Sequence, residues 1–132
     1  MKKMLFSMMA VLALTIFAGV NVFASTGDSI YLAISPPMST RESKGAAEIY
    51  NAHGYMKLSG NNLSSSHNRL RVMSKRDISW SPDETAAEYI LNIGDSNYMR
   101  YKAVEGGTYY IRLENYLYAI TRSAVGNATL TN

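Results

Sequence analysis

From residue 29 onward the chain is written in short apolar–polar alternations, separated by clusters of Gly, Asn, Ser and Pro. Period-two alternation sends successive side chains to opposite faces of a pleated strand. Turn chemistry repeated between such runs is the pattern of an all-β sandwich. The runs are residues 29–35 (SIYLAIS), 47–52, 54–60, 68–75, 88–94, 97–104, 108–115 and 127–131. Residues 116–121 (YLYAIT) are either a further strand or a continuation past a bend. Helical alternatives fare poorly. TRESKGAAEIY is broken by Gly45 and carries no stripe at helical spacing. SPDETAAEY offers Ser81 as N-cap, Pro82 at N1 and Glu84 at N3, but has room for only one turn. The expectation is a single antiparallel β-sandwich, jelly-roll-like in its strand count.

The N-terminus reads differently. Lys2 and Lys3 precede an apolar run from Met4 to Val20, and Val22 and Ala24 occupy the −3 and −1 positions of a small-residue cleavage site. That is the order of a secretory signal peptide, and the run falls short of the ~20 residues of a spanning helix. Residues 1–24 are therefore expected to be removed, leaving residues 25–132 as a secreted domain without an integral membrane segment. The chain has no cysteine, which excludes disulfide staples and a lipidated Cys anchor. Without Lys2 and Lys3 the basic residues number 11 against 10 acidic ones. A nucleic-acid binder would show a strong basic excess, so that class is excluded.

The most orderly stretch is YKAVEGGTYYIRLENY, residues 101–116. Read as a hairpin with the three-residue loop Glu105-Gly106-Gly107, it pairs Tyr101 with Ile111 and places an αL glycine at Gly107. Met99, Tyr101, Ala103, Tyr109, Ile111 and Leu113 then share the core face. The opposite face carries Tyr98, Arg100 and Lys102 against Tyr110, Arg112 and Glu114. Arg100 would stand opposite Arg112, an unfavourable juxtaposition unless Glu114 or an anionic ligand relieves it. These residues, with Trp80, are the candidate binding set. The competing reading is an ordinary solvated face, in which Tyr and Arg serve as good strand formers.

Other chemistry is sparse. His53 and His67 lie in loop contexts without metal-ligand spacing, and no G-x-S-x-G, H-E-x-x-H or phosphate-binding loop is present. No cofactor or catalytic residue is assigned. Trp80 is either an exposed sugar-stacking platform or a core anchor. Tyr89, Tyr101 and Tyr109 fall on inward positions. Arg69, Arg71 and Lys75 form a basic stripe read as a solvated or edge-protecting face.

EGGTYYIRLENY followed by GNATLT resembles the closing strands of the bacterial pre-peptidase C-terminal β-sandwich, with Ala128 standing where that family has an aromatic. The resemblance covers about the last third of the chain and implies a jelly-roll-like accessory domain without catalysis. Three function classes follow: a secreted non-enzymatic interaction or surface-binding protein, a carbohydrate-binding module, or a secreted toxin, bacteriocin or enzyme inhibitor. The partners in view are an anionic cell-wall polysaccharide or another extracellular protein. Protein recovered from culture medium is expected to begin at Ser25 on N-terminal sequencing; intact Met1 material in the membrane fraction would refute the leader.

Overall fold

The computed structural model describes residues 22–23, 29–116 and 123–132, which build two antiparallel sheets packed face to face. The strands are β1 (Val22–Phe23), β2 (Ser29–Ile34), β3 (Thr40–Glu42), β4 (Ile49–Ala52), β5 (Tyr55–Asn62), β6 (Leu70–Asp77), β7 (Glu84–Leu91), β8 (Ser96–Lys102), β9 (Gly107–Asn115) and β10 (Gly126–Thr131). Sheet A runs β1-β2-β10-β5-β8. Sheet B runs β3-β9-β6-β7, with β4 pairing β9 nearer its start. If β3 and β4 are the two halves of one interrupted strand, the eight strands after β1 follow the order 1-8-3-6 in sheet A and 2-7-4-5 in sheet B. That is the winding of a jelly roll, and the expected fold class holds.

Alternation explains the core. Ile30, Leu32 and Ile34 of β2, Ala128 and Leu130 of β10, and Met56 and Leu58 of β5 point inward from sheet A. Leu70 and Val72 of β6, Leu91 of β7, and Tyr109, Ile111 and Leu113 of β9 meet them from sheet B. Each fully buried Leu or Ile contributes about 1.5–3 kcal/mol relative to an exposed one, so this layer is the main stabiliser of a chain without disulfides. Tyr89, Tyr101 and Tyr109 lie on the core side as the sequence implies.

The proposed hairpin does not form. β8 pairs with β5 in sheet A, and β9 pairs with β6 in sheet B, so residues 103–106 cross between the sheets. Tyr101, Ala103, Tyr109, Ile111 and Leu113 lie on the inward side as expected but meet across the core instead of along a ladder, whereas Met99, expected among them, is 37% exposed on the edge strand β8. Tyr101 and Tyr109 lie with ring centroids 6.0 Å apart, and the Tyr109 hydroxyl accepts the Val104 amide at 2.9 Å. The left-handed glycine of the crossing is Gly106 (φ 77°), not Gly107. Gly107 is required for a different reason: a Cβ there would stand 2.9 Å from the Tyr109 ring and 3.0 Å from the Val104 carbonyl.

Three further expectations change. The helical turn at Ser81–Glu84 is absent. Asp83 instead accepts the Ile78 amide and closes the β6–β7 turn, and β7 begins at Glu84, which pairs with Arg76. β3 lies inside what reads as a polar loop, held against Arg112, Leu113 and Glu114 of β9. β6 is interior to sheet B, so Arg71 and Lys75 protect no edge. Residues 117–121 of the uncertain YLYAIT segment, and residues 1–21 and 24–28 around the expected leader and its cleavage point, lie outside the described residues. Val22 and Phe23 pair with Leu32 and Tyr31.

Gly126 stands opposite Asn62 of β5 and Ile34 of β2, where the backbone leaves no room for a side chain. A Cβ there would fall 2.4 Å from the Asn61 carbonyl oxygen and 2.6 Å from Leu70 Cδ2. Because the first obstacle is backbone, Gly126→Ala is expected to destabilise the fold by about 1–3 kcal/mol. Thermal unfolding checks this, and an unchanged midpoint would contradict the close approach.

Candidate functional site

The outward positions of sheet A form one continuous surface. They are Ser29, Tyr31 and Ala33 on β2, Asn127, Thr129 and Thr131 on β10, Tyr55, Lys57, Ser59 and Asn61 on β5, and Ser96, Tyr98, Arg100 and Lys102 on β8. None is Asp or Glu. Across β5 and β8 the register sets Tyr55 opposite Lys102, Lys57 opposite Arg100, Ser59 opposite Tyr98, and Asn61 opposite Ser96. From Tyr55 to Asn61 this face extends ~20 Å along the strand.

Tyr98 lines two depressions on it. The larger, about 440 Å³, is bounded by Tyr55, Lys57, Tyr98, Arg100, Thr131 and Asn132. The smaller, about 320 Å³, is lined by Ser59, Gly60, Asn61, Ser96, Asn97 and Tyr98. In the first, Lys57 Nζ lies 4.6 Å from the Tyr98 ring centroid and Arg100 Cζ lies 5.8 Å from that of Tyr55. Among the described residues no carboxylate is within ion-pair distance of Lys57, Arg100 or Lys102. In the second, Ser96 Oγ donates to Asn61 Oδ1 at 2.6 Å, and Asn61 Nδ2 donates to Asn127 Oδ1 at 2.8 Å. This side-chain chain crosses three strands and leaves amide and hydroxyl groups toward solvent.

The outer face of sheet B is built on opposite terms. Arg71 stands opposite Glu114 and bonds it at 2.8 Å, and it also reaches Glu88 at 3.2 Å. Arg112 stands opposite Glu42, bonds it, and reaches Glu114 at 3.1 Å. Lys44 bridges Asp83 at 2.7 Å and Asp77 at 3.5 Å. Directly opposed charges here have opposite sign, whereas on sheet A they are alike.

The candidate binding set is therefore divided. Tyr98, Arg100 and Lys102 share the exposed face of sheet A as expected. Tyr110 and Arg112 belong to sheet B, where Tyr110 is buried under Lys44 and donates its hydroxyl to Asp83, and Arg112 is ion-paired. Arg100 does not face Arg112; it faces Lys57. Trp80 is 98% exposed on the β6–β7 turn, away from the core and on an element of the other sheet. His53 and His67 are exposed loop residues. The residues that sequence reading missed are Tyr55, Lys57, Ser59 and Asn61. The run holding Tyr55, Lys57 and Ser59 reads as a strand, so their shared face is legible, but Asn61 lies beyond the end of that run at Gly60, and the pairing with β8 leaves no local pattern.

No family model matches the chain, and no curated protein does. Among solved structures it is similar to PirA, at 10% identity and a TM-score of 0.49, over 81% of this chain and 94% of that one. It is also similar to the Yersinia pseudotuberculosis-derived mitogen, at 10% identity and a TM-score of 0.45, over 76% and 84% of the two chains. A third similarity is to a CBM4 structure, at 12% identity and a TM-score of 0.41, over 83% and 74%.

Asp83 gives the sheet B network a measurable signature. Burial alone would raise its carboxyl, but the hydrogen bonds from Lys44, the Ile78 amide and the Tyr110 hydroxyl prevail and hold it at about 2, below the ordinary 3.8. A group depressed on folding adds stability that is complete above its unfolded value and is lost as pH falls through the folded one. Stability should accordingly decline between about pH 4 and pH 2. In Asp83→Asn, stability should be lower at neutral pH and the acid limb shallower, as read by urea unfolding across that range. Parallel limbs for the two proteins would remove Asp83 from the account.

Proposed function

We propose that this is a secreted, non-catalytic binding protein that holds an extended glycan along the outer face of sheet A. The observation that carries the reading is the pair of depressions sharing Tyr98 on a face whose described outward positions carry no acid and which is not overlaid by other described elements. A glycan offers ring faces and hydroxyls in regular succession. Tyr55 and Tyr98, 65% and 59% exposed, supply flat apolar surface with a polar tip. Ser59, Asn61, Ser96 and Asn127 supply donors and acceptors beside them. A ligand lying along β5 would meet the tyrosine-framed depression first and the amide-lined one next. The leader-like N-terminus supports a location where such polymers are found, and the resemblance of the last third to an accessory sandwich is in keeping with binding without catalysis. Trp80, on the other sheet, has no part in this surface.

Retention on a panel of insoluble polysaccharides tests the reading. Tyr98→Ala should weaken retention about 10-fold, since truncating a central aromatic anchor commonly removes more than ~1 kcal/mol. Tyr55→Ala should weaken it to a similar degree, and Trp80→Ala should leave it unchanged. Both tyrosines are exposed, so thermal stability should barely move. A wild-type protein retained on none of the panel, or tyrosine variants retained like wild type, would defeat the proposal.

A further inference from the structure

We propose that the Lys57–Arg100 pair is a subsite for an anionic group (carboxylate, sulfate or phosphate) carried by the glycan. This rests on the preceding reading of sheet A and narrows its ligand to an acidic polymer. Directly opposed strand residues have Cβ atoms about 4.5–5.5 Å apart, and like charges so placed oppose folding. On sheet B the equivalent direct pairs, Arg71 with Glu114 and Glu42 with Arg112, are of opposite sign. On sheet A no acidic residue among those described lies between Lys57 and Arg100.

What holds Lys57 and Arg100 in place is the pair of tyrosines lying diagonally to them. Lys57 leans on the Tyr98 ring and Arg100 on the Tyr55 ring. A ring face attracts a cation through its quadrupole without neutralising it. The two side chains are thus oriented, and both keep their full charge for a ligand. They converge on the 440 Å³ depression, where Thr131, directly opposite Lys57 on β10, adds a hydroxyl. A guanidinium fork beside an ammonium suits an oxyanion with two or three oxygens, the fork giving paired hydrogen bonds and the ammonium a point charge. The neighbouring depression, lined by Ser59, Asn61 and Ser96, carries no charged side chain. Consecutive subsites of different character fit a polymer in which acidic and neutral sugar units follow one another.

The experiment compares soluble polymers by affinity electrophoresis at graded salt: polygalacturonate, dextran sulfate, a teichoic acid, and neutral galactan and dextran. Wild type should bind at least one of the acidic polymers more tightly than the neutral ones, with affinity falling as salt rises. Lys57→Gln and Arg100→Gln should each weaken that binding about 10-fold, the scale of one charge-assisted hydrogen bond. Lys75→Gln, which removes the same charge from the other sheet, should not. The acidic polymer that responds identifies the oxyanion. Equal binding of neutral and acidic polymers, unaffected by the Gln variants but lost in Tyr98→Ala, would overturn the anion subsite while leaving the glycan face intact. Loss in the Gln variants with Tyr55→Ala and Tyr98→Ala unaffected would leave an anion site at Lys57 and Arg100 but refute both the glycan face and the tyrosines' part in holding that site. Equal loss in Lys75→Gln would overturn the subsite by reducing the effect to net charge, and binding to no polymer would end both readings.

Discussion

β9 is covered on both faces, and much of the molecule's charge arrangement follows from that. Its inner side chains, Tyr109, Ile111 and Leu113, lie in the core, while Tyr110 and Glu114 on its outer side are 2% and 4% exposed. A carboxylate so nearly removed from water is costly unless it is paired and hydrogen-bonded. Glu114 therefore has Arg71 and Arg112 directed at it, and those arginines in turn engage Glu88 and Glu42. Tyr110 needs an acceptor for its hydroxyl and finds Asp83, whose charge is balanced by Lys44. Satisfying one strand's outer face thus draws a large share of the chain's acids to sheet B.

The complement of that arrangement is the cationic face of sheet A. A chain with a formal net charge of only +3 becomes two-faced through the distribution of its charges, not their sum. Lys57 opposite Arg100 would be a defect in a surface whose only task is solvation. Ring faces at 4.6 and 5.8 Å stabilise such cations modestly at exposed positions, by about 0.5–1 kcal/mol each. That is comparable to what an opposed pair of like charges loses, so the fold tolerates the arrangement without removing its charge.

Period-two alternation made the face of nearly every side chain legible, and it is why Tyr98, Arg100 and Lys102 were correctly placed together and Tyr109, Ile111 and Leu113 correctly placed inside. It did not identify partners. Tyr101 and Tyr109 share the inward side whether their strands pair in one ladder or pack across a sandwich, so parity is blind to the difference. The choice depends on residues 103–106. There the Ala103 amide donates to the Gly54 carbonyl and the Gly106 amide to the Ala52 carbonyl, tying the crossing to the turn before β5. Those contacts are long-range and leave no local pattern. For the same reason Lys57 could be read as outward, yet its opposition to Arg100 emerged only with the topology. β3 was invisible for a simpler cause: three residues are too few to show alternation.

A site on an edge strand is only as useful as that strand is fixed. β8 has a ladder partner on one side alone, and its residues are almost all exposed. It is nevertheless tied near both ends, by the Asn62 amide to the Asp95 carbonyl and by Ala103 to Gly54. From beneath, the Tyr89 hydroxyl reaches the Asn97 carbonyl at 3.2 Å and the Leu58 carbonyl at 3.0 Å, holding β8 and β5 together. Tyr101, one residue from the end of β8, anchors it through Ser74 of the opposite sheet. Tyr98 and Arg100 thus project from a strand whose backbone is set before any ligand arrives, and their partners Tyr55 and Lys57 come from a strand paired on both sides. Binding on such a surface orders few side chains and no backbone, so more of the contact energy remains as affinity. The core tyrosines, by fixing β8 from within, serve the outer face as directly as they serve the fold.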